Sequence, residues 1–424
     1  MSPRGAGWIV RTLGESAVAA LPGARVGDGV LVRVAEGEPL AGEVAGIERG
    51  RVTISPYGSL AGVAVGDRVE VAPAALLAAV GFASLGRALD ARGRPLDGRP
   101  EPRGSWARVD RSAALVPGER RPVREPFLTG VRAIDGLLTI GRGARVGFFG
   151  APGAGKTTLL ETIVAGARCD AIVLGLVGER GREAQAWFDR IDRRTTIVCA
   201  TSDRCAAERV RAADVAMTQA RVLCDRGLHV VLVVDSLARY AAALREVRVA
   251  LGEPVGRGGY PPTVWAELAR YLERAGNAAR GSITLLATVL SDGGDDREPL
   301  SDAARSLLDG HIVLSGALAQ AGHYPAIDVL ASTSRTMHDV VGPGHAADAQ
   351  AVRAALALLE RTADARAVGL ANLDDPQLAA ALRAEAAIGT FLRQREGGGS
   401  PETLAALRSL AALVRPPANG TSPS

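Results

Sequence analysis

The spacing of apolar and polar positions changes character twice along the chain. From residue 1 to about 75 the runs are short and alternating, as in "VGDGVLVRV", "PLAGEVAGIERGRVTIS" and "VAVGDRVEV", and they break at Gly and Pro. Such runs predict small half-buried strands closing into a β-barrel. From about 143 to 335 the apolar runs become continuous: "ARVGFF", "AIVLGLV", "TTIVCA", "HVVLVVD", "SITLLATVL" and "GHIVLSG". Runs apolar on both faces predict parallel strands covered by helices. One intervening helix shows its period directly: Val210, Ala213, Met217, Ala220 and Cys224 recur at spacings of three and four, with Gly227 as the C-cap. After about 345 the pattern is helical and alanine-rich. Asp375-Pro376 and Ser400-Pro401 each set a capping residue before a first-turn proline. "GGGS" (397–400) separates the last two helices, and "PPANGTSPS" reads as a frayed tail. The segment 85–104, dense in Gly, Pro and Arg, reads as a connector. The predicted division is a barrel over 1–75, an α/β domain over 76–345 and a helical domain over 346–424, without internal repeats.

Composition narrows the function classes. Apolar residues make up 47% of the 424, yet no run approaches the eighteen or so residues of a membrane span. "MSPRGAGWIVRTLGES" lacks a signal-peptide pattern, so a soluble cytosolic protein is expected. Cys169, Cys199, Cys205 and Cys224 form no CxxC pair and have no histidine cluster nearby, which favours buried free thiols over a metal site or disulfides. A net charge of +4 is too mild and too mixed to force nucleic-acid binding.

One charge is singular. Among fifty basic residues there is a single lysine, Lys156, in "GFFGAPGAGKTTLLE". "GAPGAGKT", Gly150 to Thr157, fits G-x-x-x-x-G-K-[ST] between an apolar strand and a helix, the context that makes this pattern a phosphate loop. Gly150, Ala151, Pro152, Gly153, Ala154 and Gly155 would wrap with their N–H groups turned toward phosphate oxygens, and the helix start at Lys156, Thr157 and Thr158 adds partial positive charge. Lys156 would bridge the β- and γ-phosphates of ATP and the Thr157 hydroxyl would ligate Mg²⁺. An ammonium is a compact point charge where guanidinium is a wide fork, which explains lysine here in a chain that otherwise uses arginine.

Hydrolysis needs more groups. "HVVLVVDSLARY" ends a strand at Asp235, a position beside a phosphate loop that suits a carboxylate holding the Mg²⁺ hydration shell; capping the helix "SLARYAAAL" is equally compatible. Glu179, in "LGLVGERGREAQAWF", could orient or deprotonate the attacking water, or be an acid in a turn. Arg335, in "DVLASTSRTMH", could reach a transferring phosphate in a neighbouring subunit or be a surface arginine. Tyr324, in "GHYPAID", could stack on adenine or simply pack.

Taken together, "TGVRAIDGLLTIGRGARVGFFGAPGAGKTTLL", "GERGRE", "VVDSLARYAAALRE", "GEPVGRGGYPPTVW", "ERAGN", "REPLSDAARSLLDGHIVLS" and "GHYPAIDVLASTSR" resemble the ATPase of type III protein secretion systems, a group that includes the flagellar export ATPase and is related to the rotary ATP synthase subunits. "LGRALDARGRPLDG" resembles the family's junction between barrel and catalytic domain. The resemblance implies a RecA-like P-loop core between an N-terminal β-barrel and a C-terminal helical domain. It implies a cytoplasmic homohexamer, peripheral at the inner-membrane export gate, with ATP sites between subunits. Stalk and stator proteins, exported substrates and their chaperones are its implied partners, and nucleic acid is not among them. By motif, Glu179 matches the catalytic glutamate, Arg180 its neighbour contacting the site, Asp235 the magnesium-side carboxylate, Arg335 an arginine finger given to the adjacent subunit, and Tyr324 the adenine-stacking aromatic. Departures are Gly316 after "HIVLS" where arginine is usual, "TVLSDGGDD" (288–296) where "VEGDD"-like turns are usual, and the loosely matching "AVGLANLDDPQLAAAL". They touch coupling to partners and subunit contacts, not the catalytic groups.

Two other readings compete. A nucleotide-holding, catalytically idle subunit of a rotary-type ATPase would need no base, and Glu179 speaks against it. An RNA-translocating hexameric helicase would need exposed aromatics on its barrel, where residues 1–75 hold only Trp8 and Tyr57.

Overall fold

The computed structural model describes residues 5–111, 115–290, 299–394 and 400–415. Residues 291–298, which hold most of "TVLSDGGDD", the glycines of "GGGS" and the tail after 415 lie outside the described residues. Chain contacts gather into two units, one of residues 1–121, 169–288 and 297–307, the other of 122–168, 289–296 and 308–424.

The first unit opens with a closed six-stranded barrel of β1 (Ala6–Leu13), β2 (Ser16–Ala20), β3 (Gly29–Arg33), β4 (Leu40–Glu48), β5 (Arg51–Pro56) and β6 (Arg68–Val71), in the order β1-β2-β5-β4-β3-β6. Alternation decides which residues fill it: Ile9, Val30, Val32, Val52, Ile54 and Val69 point inward and are buried. Next comes a run of parallel strands in the order Ser282–Leu290, His229–Asp235, Ala171–Val177, Thr195–Ala200 and Arg87–Asp90. Four of the predicted continuous runs are the first four of these strands, and Ala171–Val177 and Thr195–Ala200 are buried at every residue.

Two expectations need correction. Part of the supposed connector is a strand: Arg87–Asp90 pairs with Thr195–Ala200, with Leu89 opposite Val198. Only Ala88 and Leu89 are buried there, too short an apolar run to register as a pattern. The helix Ala206–Cys224 buries the predicted stripe and its other faces too, including Arg211, Asp214, Thr218 and Gln219. Polar bracing makes this possible: Asp214 pairs with Arg111 at 2.6 Å and Arg274 at 3.2 Å, and Gln219 bonds both backbone groups of Gly81. Its N-terminus borrows a cap from the barrel, Glu15 accepting from the Ala206 N–H at 3.0 Å.

In the second unit, Arg145–Gly150 runs parallel to Gly310–Leu314, which pairs antiparallel with Ile327–Ser334. The helices Pro343–Arg361, Pro376–Leu392 and Ser400–Val414 pack through small residues such as Ala349, Ala380, Ala384 and Ala411. Asp375 caps its helix as predicted, accepting from the Gln377 N–H at 2.9 Å. Among the described residues no helix is long and apolar enough to cross a membrane. The fold is thus an N-terminal barrel, an α/β region and a helical C-terminal region.

Candidate functional site

The second unit carries the phosphate loop. The strand Arg145–Gly150, buried beyond Arg145, feeds the loop 151–155 and the helix Lys156–Gly166. Gly153 (φ +82°) and Gly155 (φ +87°) take the left-handed conformation that lets the loop close on itself. Added bulk at Gly155 would also approach the Tyr324 ring to 3.5 Å. No side chain caps the helix start. Lys156 Nζ donates to the Gly150 carbonyl at 2.5 Å and the Ala151 carbonyl at 2.8 Å. Ala154 is buried, whereas Pro152, Gly153, Thr157 and Thr158 are exposed.

Beside this loop lies a cavity of about 220 Å³ lined by Val131, Gly155, Thr158, Leu159, Thr162, Tyr324, Pro325 and Gln394. The turn carrying Val131 is set by buried Asp135, which accepts from Thr129 N–H and hydroxyl and from Gly130 N–H at 2.7–2.9 Å. Tyr324 is 46% exposed, so its ring is presented rather than packed away. Arg335 stands apart and exposed, after the strand Ile327–Ser334, with its guanidinium donating to the Leu308 carbonyl at 3.3 Å.

The first unit carries the carboxylates. Glu179 follows the strand Ala171–Val177 and is buried, with Arg239 Nη1 at 2.9 Å. Arg239 also donates to the Gly178 carbonyl, pinning the turn from both sides of the glutamate. Burial pushes the Glu179 carboxyl well above the ordinary carboxylate range, its hydrogen bond with Glu183 and the charge of Asp235 add to this, and Arg239 opposes. Glu183 moves down, chiefly through its hydrogen bond with Glu179. Arg180 is exposed at the N-cap of the helix Gly181–Phe188, its carbonyl accepting from the Glu183 N–H at 2.9 Å. Asp235 ends its strand half-buried and accepts from Thr288 Oγ1 at 2.6 Å. The helix cap is its neighbour Ser236, whose hydroxyl accepts from the Arg239 N–H at 3.2 Å, so capping is not the task of Asp235.

The metal question turns on donor chemistry. Among the described residues no cluster of three or more His, Cys, Asp or Glu could cage an ion. A hydroxyl (Thr157) and one strand-end carboxylate (Asp235) are hard oxygen donors. Each is the donor type that Mg²⁺ prefers, an ion that keeps waters and relies on substrate phosphates rather than an all-protein cage.

Sequence reasoning missed Arg239 and Gln394. Arg239 sits in the first turn of the helix Leu237–Ala250, which has no acidic residue there. A cation at that end opposes the helix dipole, and this misplacement was the available signal. The helicase reading loses half its aromatics: Tyr57 is buried, its hydroxyl on Glu43 at 2.8 Å and Arg211 4.4 Å above its ring.

Comparison with known proteins bears on the family and the fold. Residues 130–334 match the nucleotide-binding domain of the ATP synthase alpha/beta family, and residues 17–71 match that family's beta-barrel domain. The chain is 43% identical over 382 residues to the flagellum-specific ATP synthase of Pseudomonas aeruginosa, covering 88% of this chain and 84% of that one. It is 47% identical over 347 residues to the SPI-2 type 3 secretion system ATPase of Salmonella typhimurium, covering 80% and 79%. Among solved structures, the assembled ATPase EscN of the enteropathogenic E. coli type III secretion system superposes with a TM-score of 0.89 at 37% identity, covering 96% of this chain and all of that one. EscN in complex with its central stalk EscO gives 0.88.

Proposed function

Because the chain belongs to the family of type III secretion and flagellum-specific ATPases, we propose that it hydrolyses ATP to drive protein export through such a system. The reaction is in-line attack of water on the γ-phosphate. The loop amides of 150–155 and the helix start hold the phosphates, and Lys156 places its charge between the β- and γ-oxygens. Thr158 flanks the phosphates, and Tyr324 stacks on adenine. Glu179 orients the water and accepts its proton, and Arg180 lines the same turn. Arg335, exposed, is the finger for a neighbouring subunit. Mg²⁺, when bound through Thr157 and the Asp235 side, neutralises charge on the phosphate oxygens.

The parts follow the division 1–75, 76–345 and 346–424. The chain works as a homohexamer with sites between copies, in the cytoplasm and peripheral to the inner membrane at the export gate. A stalk like that of EscN, stator proteins, and exported substrates with their chaperones complete the assembly; release and unfolding of that cargo is the work done.

One observation supports hydrolysis over mere holding: Glu179 is buried and paired with Arg239 at 2.9 Å, its carboxyl pushed up by burial and by the charge of Asp235, as suits a group that takes a proton. Glu179→Gln keeps size and removes the proton acceptor. Expected are near-normal ATP binding and a loss of phosphate release of about 10²-fold or more. Turnover within a few-fold of wild type would sink the assignment.

A further inference from the structure

The second unit holds a separate cavity of about 570 Å³, a size that falls among small-molecule sites. It shares no lining residue with the cavity beside the phosphate loop. The helices Pro343–Arg361, Ala363–Ala367 and Pro376–Leu392 and the strand Ile327–Ser334 contribute to its walls. Leu318, Ile327, Leu356, Leu359, Ile388 and Leu392 give it a largely apolar surface.

Among the described residues, two side-chain nitrogens on these walls have no hydrogen-bond partner. One is Nε2 of His323, a residue only 8% exposed. The other is the buried Nε of Arg366, whose Nη2 donates to the Leu359 carbonyl at 2.9 Å and whose Nη1 lies 3.7 Å from Glu385. Buried donors seldom go unpaired, because each gives up water without compensation. Two of them on one apolar cavity point to an acceptor brought in from outside. The three carboxylates on the lining do not serve. Asp328 Oδ1 accepts from the N–H groups of Leu330 at 3.0 Å and Ala331 at 2.9 Å, Glu360 is exposed, and the Glu385 side chain is 52% exposed. Burial and then the charge of Arg393 push the His323 ring below its ordinary pKa, so the charge that weighs on it is a cation rather than those acids. The ring is neutral at neutral pH, and Nε2 donates in the tautomer that carries its hydrogen there.

We infer that this cavity binds an amphipathic carboxylate of the medium-chain fatty acid class, its head accepting from His323 Nε2 and Arg366 Nε and its chain lying on the leucine and isoleucine walls. A carboxylate brings acceptor oxygens for both donors, and a charged acceptor makes the stronger bond. An inorganic anion would leave the apolar remainder bare, whereas each buried CH₂ of a chain adds affinity.

The test is calorimetric titration of the full chain with decanoate, octanoate and decylamine. Decanoate should bind saturably with a Kd of about 100 μM or tighter. Octanoate, two CH₂ groups shorter, should bind about tenfold more weakly. Decylamine should not bind, because an ammonium offers donors to donors. His323→Leu and Arg366→Gln should each weaken decanoate about tenfold, and His323→Gln, which keeps an N–H, should recover part of the loss. Ala363→Trp adds bulk at an exposed position on the lining and removes none of these hydrogen bonds, so it should abolish binding even if Arg366→Gln fails to fold. No saturable decanoate binding up to about 1 mM overturns the inference. So does decylamine binding as tightly as decanoate, which would give the cavity to its carboxylates, or decanoate binding unchanged in both His323→Leu and Ala363→Trp.

Discussion

Replacing Arg239 with alanine probes the first unit's chemistry most directly, because its guanidinium opposes the upward push on Glu179. The pair is 2.9 Å apart, with side-chain exposures of 30% for Arg239 and 10% for Glu179. Breaking a fully buried pair leaves an uncompensated charge at about 3–5 kcal/mol, and the solvent reaching Arg239 reduces that to about 2–3 kcal/mol. At 1.36 kcal/mol per pKa unit, the Glu179 carboxyl climbs by about 1.5–2 units more. The sign follows from the role: Glu179 must be ionised to accept a proton, so raising its pKa removes the active form at neutral pH. Wild-type turnover should itself climb with pH, since the carboxyl already sits high. In Arg239→Ala that rising limb should move to higher pH by about 1.5–2 units, with turnover at neutral pH down by about 30-fold or more. Phosphate release at saturating Mg-ATP across the neutral and alkaline range measures the limb, and equilibrium ATP binding should stay within a few-fold. Arg239→Lys should restore part of the shift. A loss of turnover independent of pH, or an unmoved limb, refutes the electrostatic role.

Three further outcomes are expected. Lys156→Arg should lose most nucleotide affinity despite keeping its charge, because a planar fork does not fit among the loop donors; near-normal Kd for ATP would undo the steric argument. Arg335→Ala should leave ATP binding nearly intact and cut turnover about 10³-fold or more, as fingers supplied by a neighbour do, and equal losses of both would count against a finger. Arg211→Lys should cost about 2–4 kcal/mol in urea denaturation, since one ammonium cannot replace a fork reaching the carbonyls of Ala75, Leu77 and Ala91, while exposed Arg408→Lys should change little.

What the sequence revealed depended on how local each signal was. The buried strands were legible because a strand covered on both faces has no polar residue to hide, as in "AIVLGLV". The phosphate loop was legible because glycine spacing, lysine and the following helix are contiguous. Arg87–Asp90 was not, since a four-residue edge strand gains its identity from its partner rather than from its own pattern. The buried polar face of Ala206–Cys224 was hidden for a related reason. Asp214 is tolerable in a core only because Arg111 and Arg274, 103 and 60 residues away, converge on it. Glu179 could be nominated by its motif, but its raised pKa needs Glu183, Asp235 and Arg239 around it. Tyr324 could be nominated only by the family's motif, since a lone tyrosine before proline more often packs; its exposure and the neighbouring cavity are what the structure adds.

The skewed use of basic residues follows from what each side chain does in the fold. Arginine is the chain's strap. Arg211 joins three carbonyls, Arg353 reaches those of Val329 at 2.7 Å and Ser332 at 3.3 Å, and Arg120 those of Glu273 at 2.5 Å and Ala275 at 3.3 Å. A rigid fork with five donors suits fixed acceptors from several segments, and little entropy is lost per bond because the fork is already planar. Those contacts are permanent. Lys156 makes a different kind: its ammonium donates to Gly150 and Ala151, carbonyls of its own loop, on a stem with rotatable bonds and three equivalent donors. Such a group can trade carbonyl oxygens for phosphate oxygens by turning about its stem, without dismantling a strap that holds the fold. A cation that exchanges partners and a cation that stays in place call for different chemistry: the straps Arg211, Arg353 and Arg120 are of the second kind, and on the proposed reading Lys156, with the finger Arg335, is of the first.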